Sequence, residues 1–333
     1  MGMNATEPKT LTEAVKHFAD LDVCHAHMAT IKWPDGVVKC PKCGGNHVGI
    51  IATRRMFKCR NKECHKQFSV KVGTIFEDSP LGLDKWFVGI WCIVNAKNGI
   101  SSCEIARALG ITQKSAWHML HRIRLALKRE SFNKMTGEVE SDETFVGGKT
   151  RNMHASRRAR HPAGTGFVGK TVVHGLLERG TKDRASKVIA KVVANTKKKT
   201  LLPLIRNVVV PGSYLFTDTA GAYIGLSEFV HQTIDHAEKY VDGRIHTNGM
   251  ENFWSLFKRT INGTYVAIDA QHLERYADEQ VFRFNERKTN DAGRFALAMP
   301  GVVGKRLMYK TLIGAASEGY LSDGIAGDDA RGN

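Results

Sequence analysis

The sequence predicts an α/β chain in three parts: a small cysteine-bearing module, a helical segment, and a larger domain built on a mixed sheet. Three observations carry this. Four cysteines fall in two close pairs near the N-terminus. Residues 101–130 read as two helices about a glycine turn. Beyond residue 138, β-branched runs alternate with amphipathic helical stretches. A chain of 333 residues, 42% hydrophobic, can bury a substantial core, and its length favours two or three domains.

The cysteines Cys40, Cys43, Cys59 and Cys64 are spaced C-x2-C, fifteen residues, C-x4-C. Two short cysteine loops brought together by a hairpin supply the four soft ligands of a tetrahedral Zn²⁺, and the residues between them are polar and turn-forming. Four of the seven cysteines in one such pattern mark a zinc ribbon with structural Zn²⁺. His47 and His65 lie close enough to replace a ligand, but four thiolates suffice. Thiolates held on zinc belong to a reducing interior, and Cys24, Cys92 and Cys103 show no disulfide-like spacing.

Element by element, residues 10–30 mix Glu13, Lys16, Asp20 and His25 among apolar positions and read as an amphipathic helix, not a secretory leader. Residues 68–76 (FSVKVGTIF) alternate as a strand leaving the ribbon, and DKWFVGIWCIVN (84–95) suits one buried helix. In the next stretch Ile105, Ala106 and Leu109 face inward, Gly110 turns the chain, and Thr112 caps a second helix carrying Trp117, Leu120, Ile123 and Leu127. This is the pattern of a helix-turn-helix, whose second helix enters the major groove of DNA. Lys114, Arg122 and Arg124, on its polar positions, are the expected DNA-binding residues.

Residues 131–138 read as a linker and 149–165 as a mobile basic loop. Strands are expected in GEVESDETFVGG (137–148), GFVGKTVVHGLLERG, SKVIAKVVANT, SYLFTDTAG and EFVHQTIDH. Helices are expected at LLPLIRNVV, GMENFWSLFKRTI and HLERYADEQVFRFNER. From about Gly314 the composition is that of a disordered tail. The expected divisions are 1–78 for the N-terminal helix and ribbon, 79–130 for the helix-turn-helix domain, 135–300 for the mixed-sheet domain and 314–333 for the tail. A formal charge of +16 and a pI near 9.6 favour a polyanionic partner, nucleic acid first. No stretch approaches the roughly 18 apolar residues of a membrane span.

Three acids stand out by context. Asp142 lies in the first strand of the mixed-sheet domain, Asp218 ends the apolar strand Tyr214-Leu215-Phe216-Thr217, and Glu251 sits in the first turn of a helix. Converging at one sheet end, they would hold two divalent ions: Mg²⁺ takes oxygen ligands and keeps several waters, so a few carboxylates suffice. Glu140 and Glu143 read as solvated. Thirty-two residues separate Asp218 from Glu251, and Lys258 follows Glu251 by two helical turns on the same face.

That arrangement resembles the D-D-E core of transposases and retroviral-type integrases. More closely, the chain is similar to the bacterial insertion-sequence transposases with an N-terminal zinc ribbon, the ISXO-two-like group. The segments that match are CPKC…CRNKEC, GITQKSAWHMLHRIR, EVESDETFVGGK, FTDTAGAY, IHTNGMENFWSLFKRTINGTY and HLERYADEQVFRFNERK, in order over about residues 25–300. The resemblance implies an RNase H-like catalytic core, with Asp142, Asp218 and Glu251 as ligands of two catalytic Mg²⁺ ions and Lys258 as a contact to the DNA end. Some relatives carry asparagine as third member, which makes Asn248 the second choice. His246 in the same segment touches phosphate or is a satisfied structural histidine; Trp254 reads as core.

The function implied is a DNA transposase that binds terminal inverted repeats and performs metal-dependent strand cleavage and transfer. The alternative is a zinc-ribbon, helix-turn-helix regulator on an inactive core. The partners expected are double-stranded DNA, both transposon ends and target, and further copies of the chain as a homodimer or larger assembly on DNA. The expected location is the bacterial cytoplasm at the nucleoid.

Overall fold

A computed structural model describes residues 8–128, 134–148, 169–218, 221–234 and 246–314. The expected loop at 149–165, the tail beyond 314 and residues 131–133 of the expected linker lie outside the described residues.

The N-terminal part opens with two helices, α1 (Leu11–Phe18) and α2 (Leu21–Lys32), where the sequence suggested one. The break is local chemistry: Asp20 adopts an extended conformation and its carboxylate accepts the Asp22 N–H at 2.8 Å, starting a new helix two residues after the first ends. The ribbon follows as an antiparallel three-stranded sheet of β1 (Val48–Ile51), β2 (Met56–Cys59) and β3 (Gln67–Phe68). The strand expected over 68–76 stops at Phe68. Gly73, at φ +71°, turns the chain, and Lys71 Nζ donates to the carbonyls of Ser79 and Leu81, at 3.1 and 2.6 Å. Val70, Ile75 and Phe76 are buried by coiling inward, not by alternation along a strand.

Three helices come next: α3 (Leu83–Asn95), α4 (Ser102–Leu109) and α5 (Gln113–Leu127). Ser101 and Glu104 form a reciprocal capping box on α4. Gly110 ends it in the left-handed conformation at φ +59°, and the Thr112 side chain accepts the Ser115 N–H to start α5. α3 is buried along most of its length through Trp86, Phe87, Ile90, Trp91 and Val94.

The second part is a five-stranded sheet of β4 (Glu138–Val146), β5 (Thr171–Glu178), β6 (Lys187–Val193), β7 (Tyr214–Asp218) and β8 (Val230–Ile234). Its order is β6-β5-β4-β7-β8. The first three strands in sequence run antiparallel, and β7 and β8 lie parallel to β4 on its other side. On one face α6 (Lys198–Val208) packs Leu201, Leu202 and Ile205 against Val139, Leu176 and Leu215. On the other, α7 (Asn248–Thr260) and α8 (Leu273–Asn285) bring Met250, Phe253, Trp254, Phe257 and Ala277 onto Val173, Leu177 and Val188. Helices on both faces of a mixed sheet make this part α/β.

Packing cuts across the divisions drawn from sequence. The core around α1–α5 also takes Phe295 and Ala298 of α9 (Asp291–Ala298), then Met299 and Val302, so the C-terminal segment completes the N-terminal part. The two parts also share a buried polar joint. Arg124 of α5, 1% exposed, donates to Glu279 of α8 at 2.6 Å. Glu279 further accepts from Arg283 and, at 2.6 Å, from Tyr265. The Arg124 guanidinium lies 3.9 Å from the Tyr276 ring centroid, so a π face takes the side not used by the carboxylate.

Two outcomes follow. Removing the buried carboxylate with Glu279→Gln leaves Arg124 and Arg283 without their counter-charge and should cost about 3–5 kcal/mol, whereas Glu274→Gln, which breaks the exposed Lys128–Glu274 pair, should cost about 1 kcal/mol or less. Urea unfolding midpoints measure both. The second concerns His121, fully buried with neither ring nitrogen hydrogen-bonded. Burial, helped by Arg124, pushes its pKa down to about 2, so it is neutral in the fold and takes up a proton on unfolding below about pH 6.5. Stability should therefore fall as pH drops below 6.5, and His121→Phe should flatten that slope. An unchanged slope in the variant would show that His121 does not contribute it.

Candidate metal centres

The zinc ligands come from two turns at the open end of the ribbon. Cys40 and Cys43 flank a tight turn closed by Gly44 N–H to Cys40 O at 2.9 Å, with Gly44 at φ +71°. Cys59 ends β2, and Cys64 follows the turn in which its N–H reaches Asn61 O at 3.0 Å. The sulfurs of Cys40 and Cys64 are 3.6 Å apart, as are those of Cys43 and Cys59, and all four lie within 4.8 Å of one another. Four thiolates at about 2.3 Å from a tetrahedral Zn²⁺ are separated by about 3.8 Å, so the donor set fits that ion. His47 and His65 are not members of the cluster.

The second candidate centre lies at one end of the five-stranded sheet. Glu138, Val139 and Glu140 of β4 pair in parallel with Tyr214, Leu215 and Phe216 of β7. Two residues further along each strand, Asp142 and Asp218 stand level on adjacent strands, whose spacing is about 4.8 Å. Glu251 is exposed in the first turn of α7, with Asn248 at the first helical position and Lys258 exposed two turns on. Asp142 is held at both oxygens: Oδ1 accepts the Glu143 N–H at 2.8 Å and Oδ2 accepts Trp254 Nε1 at 3.1 Å. Burial raises its pKa to about 6, with the charges of Asp218 and Glu251 pushing the same way. The oxygens of the three acids are spread wider than the sulfurs: among the described residues only the cysteines bring three or more ligand atoms within 4.8 Å of one another.

Glu140 and Glu143, read as solvated, are both corrected. Glu140 is 1% exposed, bound by Arg179 Nε at 2.7 Å and by the Met250 N–H at 2.9 Å. It caps the start of α7 from the neighbouring strand. Glu143 accepts a short hydrogen bond from Tyr223, and burial raises its pKa to about 7. Arg179 also reaches the His246 carbonyl at 2.7 Å and Nδ1 at 2.9 Å, which makes His246 a structural histidine at the entrance to α7. Arg179 gave no sequence signal as an isolated cation between two strands.

The DNA-binding expectation divides. Lys114 is exposed, its ammonium 4.7 Å from the Tyr309 ring centroid. Arg122 and Arg124 are corrected, because both are interior. Arg122 donates to the carbonyls of Leu307, Ile75 and Glu77, each at 2.9 Å, and Arg124 sits in the Glu279 joint. Past its first turn α5 is a core helix, so its basic residues bind the protein's own carbonyls and carboxylate.

A zinc-binding module joined to a mixed-sheet domain is also what comparison with known families finds. Residues 134–285 match the ISXO2-like transposase domain, and residues 20–67 match the transposase zinc-ribbon domain. A protein of the transposable element ISH50 of Halobacterium salinarum is 27% identical over 248 residues, covering 71% of this chain and 81% of that protein. A transposase-like protein of Haemophilus influenzae is 39% identical over 101 residues, 30% of this chain and 81% of the relative. The chain belongs to the ISXO2-like transposase family. Among the described residues no helix is long and apolar enough to cross a membrane.

Metal analysis of protein purified without chelator should find one zinc per chain, and Cys59→Ser should lose it and unfold the ribbon. Structural zinc contributes about 10 kcal/mol or more in small peptides. Zinc-free wild-type protein would refute the assignment.

Proposed function

We propose that this chain is a DNA transposase that binds the terminal inverted repeats of its element and cuts and joins DNA strands at the Asp142–Asp218–Glu251 centre. The observation that carries the reading is geometric: Asp142 and Asp218 stand level on adjacent parallel strands, and Glu251 opens the helix whose Trp254 donates to Asp142, with Lys258 following on the same helix. The strand order supports an RNase H-like core: three antiparallel strands, then two parallel to the first on its far side.

Asp142, Asp218 and Glu251 would hold two Mg²⁺ ions, which when bound activate the attacking oxygen and neutralise charge on the phosphodiester. The protein's own part is to hold the acids in fixed register. β4 and β7 set the two aspartates, and the capped α7 sets Glu251. Lys258, exposed on α7, binds the phosphate of the DNA end. The helix pair α4–α5 acts as the helix-turn-helix, offering its first turn with Lys114, and a charge of +16 supplies non-specific affinity for double-stranded end and target DNA. Strand joining between two ends implies two or more copies on DNA, at the bacterial nucleoid.

Asp142→Asn, Asp218→Asn and Glu251→Gln each keep shape and remove one negative charge. Each should abolish cleavage and joining of labelled end DNA in Mg²⁺ while DNA binding and the unfolding midpoint stay unchanged. Lys258→Ala should weaken engagement of the DNA end only. Full activity in Glu251→Gln with loss in Asn248→Ala moves the third ligand to Asn248. Full activity in Asp218→Asn overturns the mechanism.

A further inference from the structure

Helix α7 meets strand β4 at two hydrogen bonds, and their spacing matches. Met250 N–H donates to Glu140 Oε2 at 2.9 Å, and Trp254 Nε1 donates to Asp142 Oδ2 at 3.1 Å. Four helical residues advance about 6 Å and two strand residues about 7 Å, so helix and strand keep step over this interval. The indole is 4% exposed and packs against Phe253 and Phe257. Its N–H is a donor only, and buried it needs an acceptor, which here is one oxygen of a candidate metal ligand.

The neighbouring strand is cut to fit. Gly175 of β5 pairs directly with Asp142. Its backbone is not in the left-handed region, so nothing in its conformation demands glycine. A Cβ placed there would stand 2.6 and 2.9 Å from Cζ2 and Cη2 of Trp254 and 2.3 Å from Cε of Met250. The methionine end can move. The indole, wedged between helix and sheet, cannot move without leaving Asp142.

We propose that Trp254 is a positioning residue for the metal centre: its N–H fixes the Asp142 carboxylate, and Gly175 exists to admit the indole. This rests on Asp142 being a ligand, as argued above. The same helix carries Glu251 three residues before Trp254, so one rigid element sets two of the three acids. Partners that orient metal ligands commonly change metal affinity by about 10–100-fold when removed.

The test is Mn²⁺ binding by the full chain, read from the electron paramagnetic resonance signal of the free ion. Trp254→Phe and Gly175→Ala should each weaken binding about tenfold with ribbon zinc content unchanged, and the double variant should be no weaker than either, because both act through one hydrogen bond. In the wild-type protein, one of the five tryptophan indole ¹⁵N–H resonances should shift on addition of Mg²⁺, and that shift should vanish in Asp142→Asn; this reading needs no Trp254 variant to fold. Wild-type Mn²⁺ affinity in both Trp254→Phe and Gly175→Ala, or no indole shift while Asp142→Asn abolishes binding, would overturn the proposal and leave the metal centre standing. Undiminished binding in Asp142→Asn would overturn the metal centre itself.

Discussion

The pairing of Arg124 with Glu279 is the constraint on which the arrangement of the two parts depends. A charge this deep is tolerated only with its counter-charge in place. The carboxylate of Glu279 gathers Arg124 from α5, Arg283 from its own helix and Tyr265 from the turn after α7. These elements come from the ribbon-and-helix part and from the sheet domain. An apolar contact would allow α5 to slide against α8, but a buried ion pair has one good geometry. The turn at the start of α5 is therefore fixed relative to the sheet that carries the acids.

Within the sheet domain the same logic recurs at smaller scale. Glu140, Arg179 and His246 form a polar knot at the entrance to α7, and Trp254 forms a second tie one turn on. A parallel pair of strands alone would bring Asp142 and Asp218 together but leave Glu251 on a free helix. The knot and the tie settle that helix on the strand that bears Asp142, so all three acids answer to β4.

Much of this was legible in the sequence. The cysteine spacing defined the ribbon ligands, because metal geometry admits few spacings. Strands and helices of the sheet domain followed from periodicity, and Thr112 and Gly110 marked the turn between α4 and α5. What periodicity could not show was the direction taken by long side chains. Arg122 and Arg124 occupy positions that read as polar, yet the C-terminal segment and α8 bury them, and the Leu307 carbonyl and the Glu279 carboxylate that receive them lie more than 150 residues away in the chain. Glu140 failed for the same reason: alternation gave the face, but not the Arg179 waiting there. Val70 to Phe76 alternate like a strand, and only Gly73 and the Lys71 contacts reveal the coil.

The segment from Phe295 to Leu307 has a consequence for the order of synthesis. Phe295, Met299 and Val302 fill the core begun by α1–α5, and the Leu307 carbonyl satisfies Arg122. The ribosome makes the ribbon and helix pair before the sheet domain, yet their interior has no floor until residue 302 has emerged. Domains usually fold as units from the N-terminus during translation. Here the ribbon-and-helix part closes only after the sheet domain has been made, and a chain cut short before residue 295 carries its acids on a sheet while its ribbon-and-helix part lacks the piece that seals it.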